Sequence, residues 1–407
     1  MAPMRVMALR VSLTTSLLFS PSCPDGQTLL SPVIICGGAP NLVLKKPVIL
    51  SFQHCASLQH GHWTLAVYNS GDDVVLPGQS CTWDRVVQLG DETIITPVFT
   101  QLDSTHCHLM IETLGRYALI GRSANAGGYA VKSLQVAAFV SPMSVPSVDA
   151  DLRLRIYCME DNRSSLQGVL AVERKLQGQL VDQPKTLLFQ DGGGGLLLKV
   201  DPGQHYRVSP PQRQEIQFPL VWSSPQTALL MSVSLEKIDP CAPDIVIGHI
   251  LMSQLHPVPV ASLPLPLPRS QTLLLELDLQ QTSMIYPQPG LAANFNASAG
   301  KLSLEPCDKV FRISGIVKKH LCQSLDPPNL QGNDWRLLAQ HLGMDRYINY
   351  FATKSSPTEA ILDLWEARNR DVNAVPEIVA ILLSMNRRDA AVSLQQIPSA
   401  TVQPMVW

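Results

Sequence analysis

No stretch of the 407-residue sequence approaches the run of about eighteen apolar residues that a membrane-spanning helix requires, so the chain is expected to be soluble. Positive charge is equally scarce. The formal net charge is −2, and pairs such as Lys45-Lys46, Lys318-Lys319 and Arg387-Arg388 are too small to neutralise a phosphate backbone, which argues against a nucleic-acid binder. There is no C-x-x-C pair. The nine cysteines (Cys23, Cys36, Cys55, Cys81, Cys107, Cys158, Cys241, Cys307, Cys322) are scattered and odd in number, as in a reducing compartment where a thiol serves as a small apolar side chain. G-x-S-x-G, H-E-x-x-H and the phosphate-binding GK[ST] ending are all missing, and with them the common signatures of acyl, metalloprotease and nucleotide chemistry. The expectation is a protein that is no enzyme and uses no cofactor.

Two histidine clusters are the main candidates against that reading: His54, Cys55, His60 and His62, then His106, Cys107 and His108. On a strand, neighbouring side chains leave by opposite faces, so each cluster offers at most two ligands per side, and no metal site is expected. Near the start, Arg5 and Arg10 precede Val11 to Phe19 in the outline of a signal peptide, but four of those nine residues carry hydroxyls. Asn162-Arg163-Ser164 and Asn296-Ala297-Ser298 have the form of glycosylation sequons, and neither is expected to be used.

What the chain does contain is clearest near its C-terminus. Asn333 is a candidate N-cap, after which Trp335, Leu338, Ala339 and Leu342 recur at helical spacing until Gly343. Tyr347, Ile348, Tyr350 and Phe351 give an aromatic helix, and Ser356-Pro357-Thr358-Glu359 supplies cap, first-turn proline and capping-box glutamate for the next. That helix puts Ile361, Leu364, Trp365 and Arg368 on one side, with Glu359, Asp363, Glu366 and Arg370 opposite. With apolar patterns at Val310 to Leu325 and Ala374 to Met385, and a last helix from Arg388, six short amphipathic helices are expected over 307–395. This is the outline of a death-fold interaction module.

Upstream the pattern changes. From Leu29 to Val140 short apolar or alternating runs are separated by Gly, Pro, Asn and Asp, the pattern of a β-sandwich. A second β-rich unit over 148–300 contains one expected helix, Ser164 to Leu176. Gly192 to Gly195 reads as a hairpin turn, the Pro/Leu alternation around Pro257 to Pro268 as a strand edge or linker, and Gly290 to Pro306 as a hinge.

The run Asp334 to Asn369, DWRLLAQHLGMDRYINYFATKSSPTEAILDLWEARN, closely resembles the death domain of netrin receptors of the uncoordinated-5 family. Three blocks upstream, Leu29 to Ala56, Leu154 to Asp191 and Arg213 to Ser224, resemble that family's ZU-five and UPA domains in the same order. The resemblance implies a multidomain architecture: an unassigned 1–28, a partial all-β ZU-five sandwich at 29–140 lacking its front half, a β-rich UPA domain at 148–300, and an all-α six-helix death domain at 307–395. It implies partners that are death-domain proteins or a second copy of the chain. Netrin would be met only through an ectodomain outside this sequence, and the membrane only through a span outside it. Location would be the cytoplasmic side of the plasma membrane, or cytoplasmic if the chain is complete. Some relatives of the ZU-five domain cleave themselves at His-Phe-Ser, a triplet this sequence does not contain. In the family the ZU-five domain packs on the UPA and death domains and restrains signalling. With that sandwich incomplete, the expectation here is a permanently open death domain. Asp334, Arg336, Asp345, Arg346, Asp363 and Glu366 are the exposed charged candidates for its contacts, while Trp335, Tyr347, Phe351 and Trp365 are expected in the core.

Overall fold

Alternating short strands in the first third of the chain form two sheets face to face. The computed structural model describes residues 10–14, 26–37, 46–71, 82–92, 98–124, 128–141, 152–209, 213–223, 228–239, 245–255, 273–280, 313–369 and 374–395, with single positions at 21, 23, 44, 96 and 241. One sheet runs β1 (Arg10–Thr14), β3 (Val33–Gly37), β9 (Gly115–Ser123), β5 (Trp63–Ser70) and β6 (Asp84–Gln88), with β2 (Gln27–Leu29) also on β9. The other is three-stranded, β4 (Val48–Gln53), β8 (His106–Ile111) and β7 (Val98–Leu102) in that order. Ile34, Leu50, Phe52, Val67, Leu109, Tyr117 and Leu119 fill the space between them.

The second β unit repeats this plan. Its larger sheet has the order β12 (Gln179–Leu180), β10 (Val131–Ser141), β11 (Leu152–Glu160), β17 (Ala228–Lys237) and β15 (Tyr206–Ser209), with β13 (Lys185–Gln190) also on β10. Opposite lie β16 (Arg213–Ile216), β14 (Leu196–Asp201), β18 (Ile245–Gln254) and β19 (Leu273–Gln280). Leu154, Ile156, Phe189, Leu198, Val233, Ile250 and Met252 fill this second core together with Trp222 of the short helix α2 (Phe218–Trp222). The outer face of the larger sheet is covered by α1 (Arg163–Lys175), whose Val169 packs on Phe139, Tyr157 and Met159. Glu173 fastens that helix. Its carboxylate, 1% exposed, accepts from Arg155 Nε at 2.7 Å, from Arg155 Nη2 at 2.6 Å and from the Tyr157 hydroxyl at 2.5 Å.

Several boundaries differ from the sequence reading, because strand pairing is set by distant residues. β1 and the first two residues of β2 fall within the stretch read as unassigned, yet β1 pairs antiparallel with β3 from Arg10 opposite Gly37 to Thr14 opposite Val33, and β2 pairs with β9. Val131–Ser141, read as the end of the first sandwich, is hydrogen-bonded to β11 and β13 inside the second. Gly192 to Gly195 is no hairpin: it carries the chain from one sheet to the other, with β13 on β10 and β14 on β16 and β18. The glycines are needed for close approach. A Cβ on Gly195 would lie 2.3 Å from the Ile216 carbonyl oxygen, whereas one on Gly168, in α1, would meet nothing within 4 Å. Gly195→Ala should therefore cost roughly 1–3 kcal/mol in urea unfolding, and Gly168→Ala should stabilise by up to about 1 kcal/mol. The Pro/Leu alternation, the 290–306 hinge and the sequon at Asn296 lie outside the described residues.

The two β units meet at a tryptophan pair. Trp63 stacks on Trp222 with ring centroids 5.8 Å apart, and the Trp222 carbonyl accepts from the Thr28 hydroxyl and, at 3.1 Å, from Lys132 Nζ. Lys132 is 2% exposed, a burial a cation tolerates only when its charge is met; Glu160 lies 3.9 Å away. Burial pushes the Glu160 pKa up, against the pull of Lys132.

The last part of the chain is an all-α bundle of α3 (Gly315–Leu325), α4 (Trp335–His341), α5 (Ile348–Ala352), α6 (Pro357–Arg368), α7 (Val375–Ser384) and α8 (Arg388–Gln395), with a 3-10 turn at Asp345–Tyr347. Leu338, Phe351, Ile361, Leu364, Trp365, Ile378 and Leu382 form its centre. The cap of α4 is Asp334, one residue past the expected Asn333, and its carboxylate accepts from the Arg336 N–H at 2.9 Å. For α6 the expected cap holds. Ser356 Oγ accepts from the Glu359 N–H at 3.2 Å with Pro357 opening the helix.

Candidate functional site: the seam between the helical bundle and the first sandwich

Val98-Phe99-Thr100 and Leu109-Met110-Ile111 are continuous buried runs, which on a strand means cover on both faces. Val98, Leu109 and Ile111 point into the sandwich. Phe99 and Met110, out of phase with them, belong instead to the core of the helical bundle, with Ile49 packed alongside. Helix α6 lies across β4 and β8, and α5 covers Phe99. The Phe99 ring is met edge-on by Tyr347 at 4.2 Å, stacks on Tyr350 at 5.4 Å and lies tilted against Phe351 at 5.5 Å. The Tyr347 hydroxyl donates to the Thr100 carbonyl at 2.9 Å.

Ion pairs rim this aromatic centre. Lys46 Nζ is 2.6 Å from the Glu359 carboxylate, and Lys354 pairs with Glu112 while lying 4.1 Å from the Tyr350 ring centroid. Lys46 is 71% exposed, and such a pair contributes at most about 1 kcal/mol, so the rim orients the contact while the aromatic cluster holds it. The expectation of an open death domain is thus corrected. The missing signal in the sequence was the apolar residue at the outward position of β7 and of β8, where a sandwich facing water carries a polar one.

The six charged candidates are placed differently from one another. Arg336 and Asp345 are exposed, and the Arg336 guanidinium sits 4.5 Å over the Trp335 ring. Arg346 belongs to the 3-10 turn, its side chain outside the described residues. Asp363 is half-buried and pairs with Lys318 at 2.6 Å. Asp334 and Glu366 are buried at 3% and 5%, which corrects their placing as surface groups. The first is occupied as a helix cap, and the second accepts from the Ile313 N–H at 2.7 Å and from Lys318 Nζ at 2.8 Å, tying the approach to α3 onto α6. No recorded hydrogen bond or ion pair joins any of the described five to the sandwich. The seam is carried by Tyr347, Tyr350, Phe351, Lys354 and Glu359, of which sequence reasoning named Tyr347 and Phe351, as core.

The structure also brings the two histidine clusters together. His54 Nε2 lies 3.1 Å from the Asp103 carbonyl oxygen, His108 Nε2 is 3.2 Å from Asp103 Oδ2, and His106 Nδ1 is 3.9 Å from Asp103 Oδ1. Burial opposes the Asp103 charge, but the Thr105 and His106 N–H groups and the His108 ring outweigh it and hold the pKa down at about 2. Cys55 and Cys107 face the sandwich core, where burial pushes both thiols well up. Among the described residues no three His, Cys, Asp or Glu side chains are placed to hold a metal ion.

Beside His54 a cleft of about 590 Å³ opens between the two β units, lined by polar groups that include Gln53, His60, Asp161 and Arg163. Asn162, the sequon asparagine, is 5% exposed and caps α1 through the Ser165 N–H at 2.8 Å.

Three family models match the chain. Residues 5–71 match the ZU5 domain, 130–257 the UPA domain, and 318–397 the Death domain. The protein therefore carries a ZU5, a UPA and a death domain in that order, an architecture shared with uncoordinated-5-like and ankyrin-type proteins. The domains are those of signalling and protein–protein interaction. Among the described residues no helix is long and apolar enough to cross a membrane.

Proposed function

We propose that this chain is the intracellular signalling part of a netrin receptor of the uncoordinated-5 family, acting in axon guidance and repulsion and in ligand-dependent control of apoptosis through death-domain contacts. The observation that carries the reading is the resemblance over Asp334 to Asn369, which extends through the helices α4, α5 and α6. The order of the three matched domains supports it. Its partners are death-domain proteins or further copies of itself, and netrin acts on it only through an ectodomain outside this sequence. The reading assigns no catalytic step and no cofactor to the chain.

The seam supplies the restraint. With Tyr347, Tyr350 and Phe351 closed on Phe99, the α5–α6 side of the death domain is occupied, while Arg336 and Asp345 stay accessible. A partner needing the covered side binds only after undocking. The test is apoptosis in cells expressing the whole chain or its Tyr347→Ala variant. Wild type should be quiet and Tyr347→Ala should activate caspases, an effect lost when residues 313–395 are deleted. Equal caspase activity from both would remove the restraint, and activity surviving the deletion would remove the death domain as its source, leaving at most a soluble adaptor.

A further inference from the structure

The three histidines around Asp103 are not equivalent. His54 is satisfied as a neutral ring: the Ala56 N–H donates to Nδ1 at 3.2 Å, and Nε2 carries the proton that faces the Asp103 carbonyl oxygen. His106 is 38% exposed at its side chain and open to water. His108 is different. It leaves β8 on the same face as Met110, two residues on, which is buried in the helical core, and its side chain is 3% exposed. Its Nε2 reaches Asp103, while its Nδ1 is buried with no hydrogen-bond partner.

We propose that His108 is an acid-sensitive latch, protonation of its ring releasing the death domain from the ZU5 sandwich. A second ring proton would sit on Nδ1, where the closed seam offers no acceptor, and a buried N–H left unpaired disfavours the closed form. The charged and titratable groups recorded around the ring are Asp103 and His106 from the sandwich and Arg368 from the last turn of α6. Burial is the largest influence and holds the His108 pKa below the ordinary histidine value; His106 and Arg368 add to it, against the opposing pull of Asp103.

The division of these groups between the two bodies gives the device its direction. Asp103, which favours the imidazolium, stays with the sandwich whether the seam is open or closed. Arg368 and the cover of α6, which disfavour it, leave with the death domain. Undocked, His108 therefore binds its proton more tightly than docked. Docking is then fully present above the undocked pKa, near the ordinary value of about 6.5, and is lost progressively as pH falls from there toward the lower docked value. One proton taken up on opening makes the open-to-closed ratio rise as pH falls from roughly 7.5 to 5.5, by about tenfold at the most for a single group.

The inference rests on the docked arrangement proposed above, so its test must separate the two. Single-molecule energy transfer on the whole chain, with dyes at the strongly exposed Ile247 and Leu330, reads the docked fraction directly. Wild type should lose compact molecules several-fold on acidification from about pH 7.5 to about pH 5.5, and His108→Gln, which cannot titrate, should be flat over the same range. His106→Gln should keep the wild-type slope. Should His108→Gln fold poorly, Arg368→Glu serves instead: a carboxylate in that place raises the docked pKa and flattens the slope. A wild-type ratio indifferent to pH, or a His108→Gln chain that titrates like wild type, overturns the latch while leaving docking intact. No compact population even at about pH 7.5 overturns the docking itself.

Discussion

Phe99→Ala is expected to free the death domain while leaving both β cores folded. The ring fills no part of the sandwich; it is the knob around which Tyr347, Tyr350 and Phe351 close, and it is 1% exposed. Truncating a buried phenylalanine costs about 3–5 kcal/mol, and here most of that cost falls on docking, a shift of a hundredfold or more toward the open form. The compact population seen by energy transfer should vanish at neutral pH, while the far-ultraviolet circular dichroism stays as in wild type. If the compact form survives the Phe99→Ala substitution, the ion pairs of Lys46 and Lys354 rather than the aromatic cluster hold the seam. Lys46→Ala is the comparison, and at a 71% exposed side chain it should change the ratio only a few-fold.

Glu173→Ala should have the largest effect on stability in the second β unit. Its carboxylate is the acceptor for two guanidinium nitrogens of Arg155 and for the Tyr157 hydroxyl, all inside the layer between α1 and the sheet. Removing it leaves a buried cation facing only neutral hydroxyls, those of Ser141 and Tyr157, at a cost of about 3–5 kcal/mol. Thermal unfolding should show the loss. Glu173→Gln, which keeps the shape and one acceptor, should lose less. The phenol offers a second readout: burial and then Glu173 push the Tyr157 pKa up to about 12, and without the carboxylate its spectrophotometric titration should move toward the ordinary value. A Glu173→Ala protein melting as wild type would mean that the helix is held by Val169 and its neighbours alone.

Much of this molecule could be read from its residues because the helical third obeys local rules. Ser356-Pro357-Thr358-Glu359 caps α6 as its spelling demands, and Trp335, Leu338, Trp365 and Leu382 are buried as their spacing requires. The β units were legible as β but not in their pairing. Whether Val131–Ser141 joins the strands before or after it depends on partners about 12 to 59 residues away, and its sequence, apolar on both faces, suits either sheet. Charge was the poorest guide. Asp334 and Glu366 look like solvent groups in a helical wheel, yet each is a buried carboxylate committed to a backbone N–H and a cation. The seam left a quieter mark in Phe99 and Met110, two apolar residues where alternation calls for polar ones.

The bundle's core does not end at the bundle. Because Phe99, Met110 and Ile49 are shared between β4, β7, β8 and the helices, the boundary of the folded unit is not the boundary of the domain. Heat should melt the sandwich and the helices as one cooperative block rather than in two steps. A sandwich made without its helices would present those three side chains as a flat apolar patch beside free strand edges, the arrangement that leads to self-association.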